Sequence, residues 1–516
     1  MLAKTFGMPA NRIVVQQTRV GGAYGGKAFM NMPVCAAACA AALALKRPVL
    51  LQLDRSADML ALGARNPQDA SWTVGFTDAG KITSLDEKVT GDCGFDKSGG
   101  MCQATSLNCY DIPGAKLAWA GAVTARPLNT IMRAPGEFEG CFFMEAIIEQ
   151  VARELQVDPT VVQAANMLQG PREIWASLKE AKYGQKRAEA DAFNLKNRWR
   201  KRGVYMMACD YKFGKAVGYG GWLEKCLVKV EADGTVTLDH TGLEQGQGIN
   251  TKAIQAAAFA FKSVAADFDM AMVATITPKS TSHYSCSGVS PTWGSGTSEC
   301  IVSAVLKACK TVAGRLAKYR KAGSTWPQIV AAAKEAGEDL SGMGVHEAAE
   351  GIKGYDIYVA ACVSAEIDSL TGETQVLSAD IFQDCGKSLN PAVDIGQIEG
   401  CFVQALGFCL TEAQVWSAKD GRLVNCGTWD YKIPSGRDVP IEMNVTLVKS
   451  SNDTPGNVLS SKGTGEPTMC LGSVTFFAVK DAVRAAREAA GNPGYFRLDC
   501  PASVDAVQAA CLSVPA

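Results

Sequence analysis

Histidine is nearly absent from this 516-residue chain: His240, His283 and His346 stand singly and far apart. That scarcity excludes a zinc or iron centre built from imidazoles. An excess of charge of one sign is also missing, with 51 basic against 52 acidic residues and a formal net charge of −1. No nucleic acid or anionic membrane partner is therefore implied. No run of eighteen apolar residues occurs, and no basic stretch followed by an apolar one opens the chain, so no spanning helix or secretion signal is expected. Cysteine is plentiful at 19, yet no C-x-x-C pair exists. Cys35 and Cys39 in "VCAAACAAALAL", like Cys401 and Cys409 in "CFVQALGFC", read as small buried hydrophobes. Free thiols of this kind point to a reducing compartment, the cytoplasm.

What is present is ordinary globular composition, 47% hydrophobic and 20% charged, in a chain long enough for two or more domains. The opening "MLAKTFGMPANRIVV" reads as the end of a helix running into a strand, and a preceding segment is expected. Residues 11–20 read as a strand, 31–46 as a small-residue helix and "PVLLQLD", 48–54, as another strand. A helix is expected over 141–155. Residues 171–203 are charged and helix-prone, a connector between two halves. The second half opens with a hairpin turning at "ADG", residues 232–234. Helices follow at 252–262 and 298–321, then a second hairpin over 363–384, and further helices at 396–410 and 469–490. The class is α/β in the broad sense, a mixed α+β architecture.

Three glycine loops each run into a helix. "GGAYGGKAF", 21–29, sits between strand and helix like a P-loop, but Ala28 stands where the magnesium-binding hydroxyl belongs. A structural turn, or a loop offering backbone N–H groups to another phosphate-bearing or anionic cofactor, remains. "LEQGQGINTK", 243–252, places the amides of Gln245 and Gln247 around a glycine; alone it reads as a capped turn. "PTWGSGTSE", 291–299, carries Gly294, Ser295, Gly296 and Thr297 into a helix. Together the three could converge on one large polar cofactor. Glu466 in "KGTGEPTMCLG" is either a glutamate favoured by the helix dipole or a general base in a dry pocket. Arg133 in "NTIMRAPGEFEG" either clamps an oxygen-rich group or pairs on the surface with Glu137 or Glu139.

Taken in order, "RVGGAYGGKA", "NCYDIP", "RAPGEFEG", "LEQGQGINTK", "SPTWGSGTSE", "DCGKSLNPAVDIGQIEGCFVQALGF" and "GTGEPTMCLGSVTFFAVKDAV" resemble the molybdenum hydroxylases, the xanthine dehydrogenase and aldehyde oxidase family. The likeness covers nearly the whole chain. It implies a two-part molybdopterin-binding region with mixed sheets and packed helices. Residues 1–170 would be the C-terminal part of a first cofactor-binding domain, 171–203 a charged helical connector and 204–516 a second such domain. The resemblance further implies that Ala23, Tyr24 and Gly25 approach the molybdenum centre, with Arg133 near the metal. Gln245, Gln247, Gln397 and the run Gly294, Ser295, Gly296 and Thr297 would hold the pterin and its phosphate. Glu466 would be the catalytic base. The metal would be held by the dithiolene of molybdopterin and not by protein side chains. Water would supply the oxygen, through attack by a Mo-bound hydroxyl with hydride transfer to a Mo sulfido group. The [2Fe–2S] clusters and FAD of the family are expected on parts outside this chain, and the family's habit implies a homodimer.

The pocket residues implied by the same resemblance are Ala28, Met101, Pro135, Val217 and Gly218. Xanthine dehydrogenases resemble one another in a Glu and an Arg where Ala28 and Met101 stand here, and in two aromatic walls where Pro135 and Val217 stand. A site without those groups cannot orient a purine, so an aldehyde oxidase-like enzyme for aldehydes or N-heterocycles is the expectation. A xanthine dehydrogenase with an altered pocket and a non-catalytic fragment or pseudoenzyme stay open beside it.

Overall fold

The computed structural model describes residues 2–28, 30–97, 107–213, 223–279, 281–282, 291–346, 354–448 and 458–512. Its central sheet runs Glu442–Val448, Thr374–Asp384, Tyr355–Asp368, Arg200–Phe213. The neighbours are antiparallel except for the parallel first pair. The two long strands Arg200–Phe213 and Tyr355–Asp368 read as near-continuous apolar runs because both of their faces are covered. Strand side chains alternate between faces. Tyr205, Met207, Cys209, Tyr211 and Phe213 therefore enter one core, packed against the helices Pro391–Leu410, Pro467–Leu471 and Val474–Ala489. Val204, Met206 and Ala208 enter another, under the helices Glu137–Glu154, Pro159–Asn166 and Gln169–Leu178. This alternation decides which side chains reach the candidate site.

A second four-stranded sheet, Ser341–His346, Glu224–Val230, Val236–His240, Ile276–Pro278, packs against the helices Ile249–Phe261, Thr297–Leu316 and Trp326–Glu335 around its own core. A three-stranded sheet, Gln68–Phe76, Ile82–Asp92, Ala115–Ala122, completes the mixed α+β fold. Both expected hairpins form, the first turning at Gly234 with φ +86°, where glycine is favoured. The helix expected over 469–490 is interrupted at Gly472 and Ser473.

Two expected strands are absent as such. Within 11–20 only Gln16–Gln17 pair, with 281–282, and residues 48–54 form no strand. Their composition favours strand, but a strand exists only against a partner, and none of the described residues offers one to 48–54. Pro391–Leu410 is, among the described residues, the one helix long and apolar enough to cross a membrane, and half of that window is buried inside the protein.

Most of the described cysteines are buried small hydrophobes, Cys401 and Cys409 among them, but Cys35 is exposed and Cys39 only half-buried, because the helix Asn31–Leu45 buries none of its residues. Cys141, Cys209 and Cys470 meet with their sulfurs within 4.8 Å of one another. All three thiols are held well above their ordinary value, Cys470 first by burial and Cys141 first by its hydrogen bond with Cys209. They favour the protonated form there, whereas metal binding requires thiolate. A fully buried carboxyl, Glu145, accepts from Tyr110 Oη at 2.7 Å, Tyr205 Oη at 3.0 Å and Gln163 Nε2 at 2.6 Å. Burial pushes it up to about 7.

Candidate active site

Glu466 stands at the head of the short helix Pro467–Leu471, whose first position is filled by proline, a residue suited to a helix start. Its side chain is 9% exposed. Tyr211 Oη donates to Glu466 Oε2 at 2.7 Å, and the Ala134 backbone N–H donates to Oε1 at 3.3 Å. Tyr211 arrives there because it belongs to the alternate set of its strand that faces this core. Ala134 arrives because the Ala-Pro-Gly turn holds it at φ +55°, a conformation L-residues rarely adopt, with Gly136 at φ +77° beyond it.

The segment carrying Glu466 is clamped from both sides. Lys462 Nζ pairs with Asp384 at 2.6 Å, both side chains buried, and also donates to the Asp356 carbonyl at 3.0 Å. Gly463 N–H donates to Tyr355 Oη at 2.9 Å, and Gln383 Nε2 to the Thr464 carbonyl at 3.0 Å. At Gly465 a Cβ would lie 2.4 Å from Arg133 Nη2, so glycine there admits the guanidinium.

Arg133 joins three segments. Its backbone N–H donates to the Tyr24 carbonyl at 2.9 Å, and its Nη2 donates to Gln397 Oε1 at 3.0 Å. Gln397 Nε2 in turn donates to the Gly246 carbonyl at 3.0 Å. The alternative in which Arg133 pairs with Glu139 does not occur, because Glu139 is held by Arg65 at 3.1 Å, both buried. Arg65 also donates to the Arg133 carbonyl at 2.6 Å.

The first glycine loop lies on this arginine segment. Tyr24 takes φ +49°, and its ring is half exposed, 5.9 Å from the Arg133 guanidinium. Gly25, at φ +87°, approaches so closely that a Cβ would stand 2.5 Å from the Ile131 carbonyl. Ala23 precedes this turn, half-buried, and Ala28 N–H closes it on the Gly25 carbonyl at 2.9 Å. Lys27 pairs with Asp58 at 3.0 Å. The lysine of a P-loop would point to phosphate, so this pairing and the missing hydroxyl at Ala28 both argue against a nucleotide site.

The other two glycine loops are tied together. Leu243 N–H donates to Thr292 Oγ1 at 2.9 Å, and Gln245 Nε2 to the Thr292 carbonyl at 3.2 Å. Gln247 is engaged within its own loop, accepting from Gln245 N–H at 2.7 Å and donating to the Leu243 carbonyl at 2.9 Å. Gly294 and Ser295 take φ +58° and +59°, and Gly296 opens the helix that Thr297 begins. Thr297 Oγ1 accepts from Trp293 N–H at 3.3 Å.

Tyr24, Arg133, Gln397, Gly246 and Glu466 are thus brought together through hydrogen bonds and close contacts. Pro135 sits half-buried in the turn beside Ala134. Met101, Val217 and Gly218 lie outside the described residues. Sequence reasoning missed Tyr211, Glu244, Arg65 and Gln404, whose Oε1 accepts from Arg133 Nη1 at 3.5 Å. The carboxylate of Glu244 accepts from Gly246, Gly248 and Asn250 N–H groups at 2.9 to 3.1 Å. An acidic residue just before a glycine loop at a helix start was the signal for it. Tyr211 gave none, since it lies inside an apolar strand run.

Comparison with known proteins agrees with this convergence of loops. Two family models, both described as molybdopterin cofactor-binding domain, match residues 1–167 and 176–440. Xanthine dehydrogenase 1 of Arabidopsis thaliana is 35% identical over 553 residues, covering 99% of this chain and 40% of that protein. Probable aldehyde oxidase 2 of Oryza sativa subsp. japonica is 34% identical over 544 residues, covering 99% and 39%. This chain therefore spans about two fifths of the length of these curated relatives. Quinoline 2-oxidoreductase of Pseudomonas putida shares the fold at a TM-score of 0.81 and 21% identity, over 100% of this chain and 71% of that one. Aldehyde oxidoreductase of Desulfovibrio desulfuricans does so at 0.79 and 21%, over 99% and 56%. With one family model covering just over half of its residues and a second covering most of the remainder at the start, the chain belongs to the molybdopterin cofactor-binding domain family of the molybdenum hydroxylases.

Proposed function

We propose that this chain is the cofactor- and substrate-binding part of an aldehyde oxidase-like molybdenum hydroxylase that oxidises aldehydes or N-heterocycles with oxygen taken from water. The observation that carries the reading is the nearly buried carboxylate of Glu466, fixed by Tyr211 and Ala134 beside the Arg133–Gln397 pair.

The residues fit molybdopterin. The first glycine loop lies against Arg133, the second is tied to it through Gln397, and the third is tied to the second through Thr292; at Gly246 a Cβ would meet nothing within 4 Å, so a flat ligand has room against that backbone. Amides, backbone N–H groups and one guanidinium suit a pterin and its phosphate. The cofactor, when bound, supplies the two-electron oxidation at molybdenum. Within this chain Arg133 and Gln397 would orient it, the loop 21–28 would cover it, and the 294–297 loop would receive the phosphate at a helix N-terminus. Glu466 would accept the proton lost as a water-derived oxygen joins the substrate carbon. An aldehyde plus water becomes a carboxylic acid, releasing two electrons and two protons. Those electrons would leave through iron–sulfur clusters and FAD carried outside this chain, in the reducing cytoplasm that the free thiols suit.

The preference for aldehydes rests on Ala28 and Pro135, with Met101 and Val217 from the sequence. None of the four supplies the charged or aromatic contact that a purine needs. The test is kcat/KM for benzaldehyde and for xanthine on one preparation of the complete enzyme. We expect xanthine to trail by several orders of magnitude, as in sites lacking a required hydrogen-bond partner. Preference for xanthine would replace the aldehyde assignment with the xanthine dehydrogenase reading.

A further inference from the structure

Tyr355 opens the strand Tyr355–Asp368, at the end that meets the segment carrying Glu466. The alternation that sends Tyr355, Ile357 and Val359 into the core of the central sheet leaves Tyr355 only 1% exposed. Its partner across the strand pair is Phe213, and the two rings stack with centroids 4.8 Å apart and planes 23° apart. The ring is therefore placed by packing, which needs no hydroxyl. A phenol buried this deeply carries a polar oxygen that must find partners.

Those partners lie on opposite sides of the candidate site. Tyr355 Oη accepts from the Gly463 backbone N–H at 2.9 Å and donates to Glu299 Oε1. Gly463 stands three residues before Glu466, next to Lys462, whose Nζ donates to the Asp356 carbonyl at 3.0 Å. Glu299 lies in the first turn of the helix Thr297–Leu316, and its own N–H donates to the Gly296 carbonyl at 3.1 Å. Tyr355 belongs to the core of the central sheet, whereas that helix packs into the core of the second four-stranded sheet. One oxygen thus bridges the two cores. A carboxylate in a first helical turn is already favoured by the helix dipole, so the helix start does not depend on Tyr355. What the bond adds is a fixed place for that helix start relative to Gly463.

We propose that Tyr355 is a positioning residue for the reaction, its hydroxyl holding the Glu466 segment in register with the third glycine loop, residues 294–297. The inference rests on the functional reading above, in which Glu466 takes the proton and that loop receives the phosphate of the cofactor. Tyr211 and Ala134 fix the carboxylate itself. Tyr355 fixes the segment behind it against the loop that holds the far end of the ligand. Removing the oxygen releases both of its bonds together, so the base and the loop lose their common reference while the stacked ring and the strand pair stay in place.

The experiment compares Tyr355→Phe, Glu299→Ala, Glu299→Gln and the double variant Tyr355→Phe, Glu299→Ala in the complete enzyme. Phenylalanine keeps the stack on Phe213 and removes the oxygen alone. For the substrate oxidised fastest, kcat per cofactor-replete site should fall about tenfold with KM changed by less than about twofold. Pterin should also leave the variant faster on dialysis, followed by its fluorescence. Glu299→Ala breaks the same bridge from its other end and should act alike, which decides the matter even where Tyr355→Phe does not fold. The double variant should be no slower than Tyr355→Phe, because both changes remove one link. Glu299→Gln keeps an accepting oxygen and should stay within about threefold of the parent. Parental kcat in Tyr355→Phe or Glu299→Ala, losses that multiply in the double variant, or a lower melting temperature with kcat and pterin retention unchanged would each overturn the proposal. Glu466→Gln on the same preparation tells this failure from that of the functional reading. An inactive Glu466→Gln beside a fully active Tyr355→Phe removes Tyr355 alone, whereas an active Glu466→Gln removes the base and this inference with it.

Discussion

Gly465→Ala separates positioning from stability. The residue has an ordinary backbone conformation, so alanine costs nothing in φ, and fewer unfolded conformations should stabilise the chain by about 0.4–1 kcal/mol. The new Cβ, however, would lie 2.4 Å from Arg133 Nη2, against an ordinary contact of 3.4 Å or more. The guanidinium is the end of a flexible side chain, so it yields by roughly 1 Å instead of breaking the fold. That movement opens its 3.0 Å hydrogen bond to Gln397, and through Gln397 the tie to the Gly246 loop. A misplacement of about 1 Å can cost about 10²-fold in rate. We therefore expect a melting temperature at or slightly above the parent's, normal cofactor content, and kcat/KM for an aldehyde lowered by about two orders of magnitude. The assay pairs thermal denaturation with steady-state kinetics on the complete enzyme. Unchanged kinetics would refute the claim that the Arg133 position matters, and a large loss of melting temperature would refute the claim that the arginine can give way.

The remaining expectations concern carboxyl groups. Glu466→Gln keeps the shape but cannot take a proton, so turnover should fall by about 10²–10⁴-fold or more while molybdenum and pterin content stay normal; near-parental activity in a cofactor-replete preparation would remove Glu466 from the mechanism. Tyr211→Phe removes a donor to a carboxylate, a bond worth about 1.5–3 kcal/mol, and kcat should drop roughly ten- to a hundredfold with little change in KM; a change in KM alone would show that Tyr211 serves binding instead. Glu145, raised from 4.5 to about 7 by burial, holds a proton in the folded state that the unfolded chain has already lost. Its contribution to stability is complete below pH 4.5 and is lost as pH rises to about 7, by up to about 1.4 kcal/mol per pH unit. Glu145→Gln should therefore gain on the parent in urea midpoint between pH 5 and 8, and a pH-independent difference would count against a proton on Glu145.

How far the sequence led can be judged element by element. Both long hairpins and most helices were legible because period and turn residues agreed at each, as with "ADG" at Gly234. Residues 48–54 misled because strand composition says only that a segment fits a sheet, and the sheet partner is absent among the described residues. Glu466 stood out by its glycine and proline neighbours, which left open whether it serves the helix dipole or takes a proton. Tyr211 was invisible, since an apolar run buried on both faces gives no sign of which alternate residue meets a carboxylate. The pairing of Arg65 with Glu139 was beyond reach for another reason: 74 residues separate the partners, and no local pattern encodes such a contact. That contact is also why Arg133 does not pair with Glu139.

The site's groups are better understood as a ring than as a roll of contacts. Val20 N–H donates to the Glu244 carbonyl, the Glu244 carboxylate accepts from Gly246, and Gly246 accepts from Gln397. Gln397 accepts from Arg133, and Arg133 returns through its backbone N–H to Tyr24, four residues from the start. A second path leaves Ala134 for Glu466, runs back along the chain to Gly463 and passes through Tyr355 Oη to Glu299 in the helix that the third glycine loop opens. That loop rejoins the ring through Thr292 and Leu243. Most of these links join segments far apart in sequence. Rigid elements stand behind three of the groups: a buried strand for Tyr211, a buried ion pair for the Glu466 segment, the Arg65–Glu139 pair for Arg133. Closed networks of this kind couple their members, so disturbing one moves several. A carboxylate, a guanidinium and three exposed glycine turns held by one circuit can present a fixed polar surface to a large flat cofactor while the loops themselves remain thin enough to lie against it.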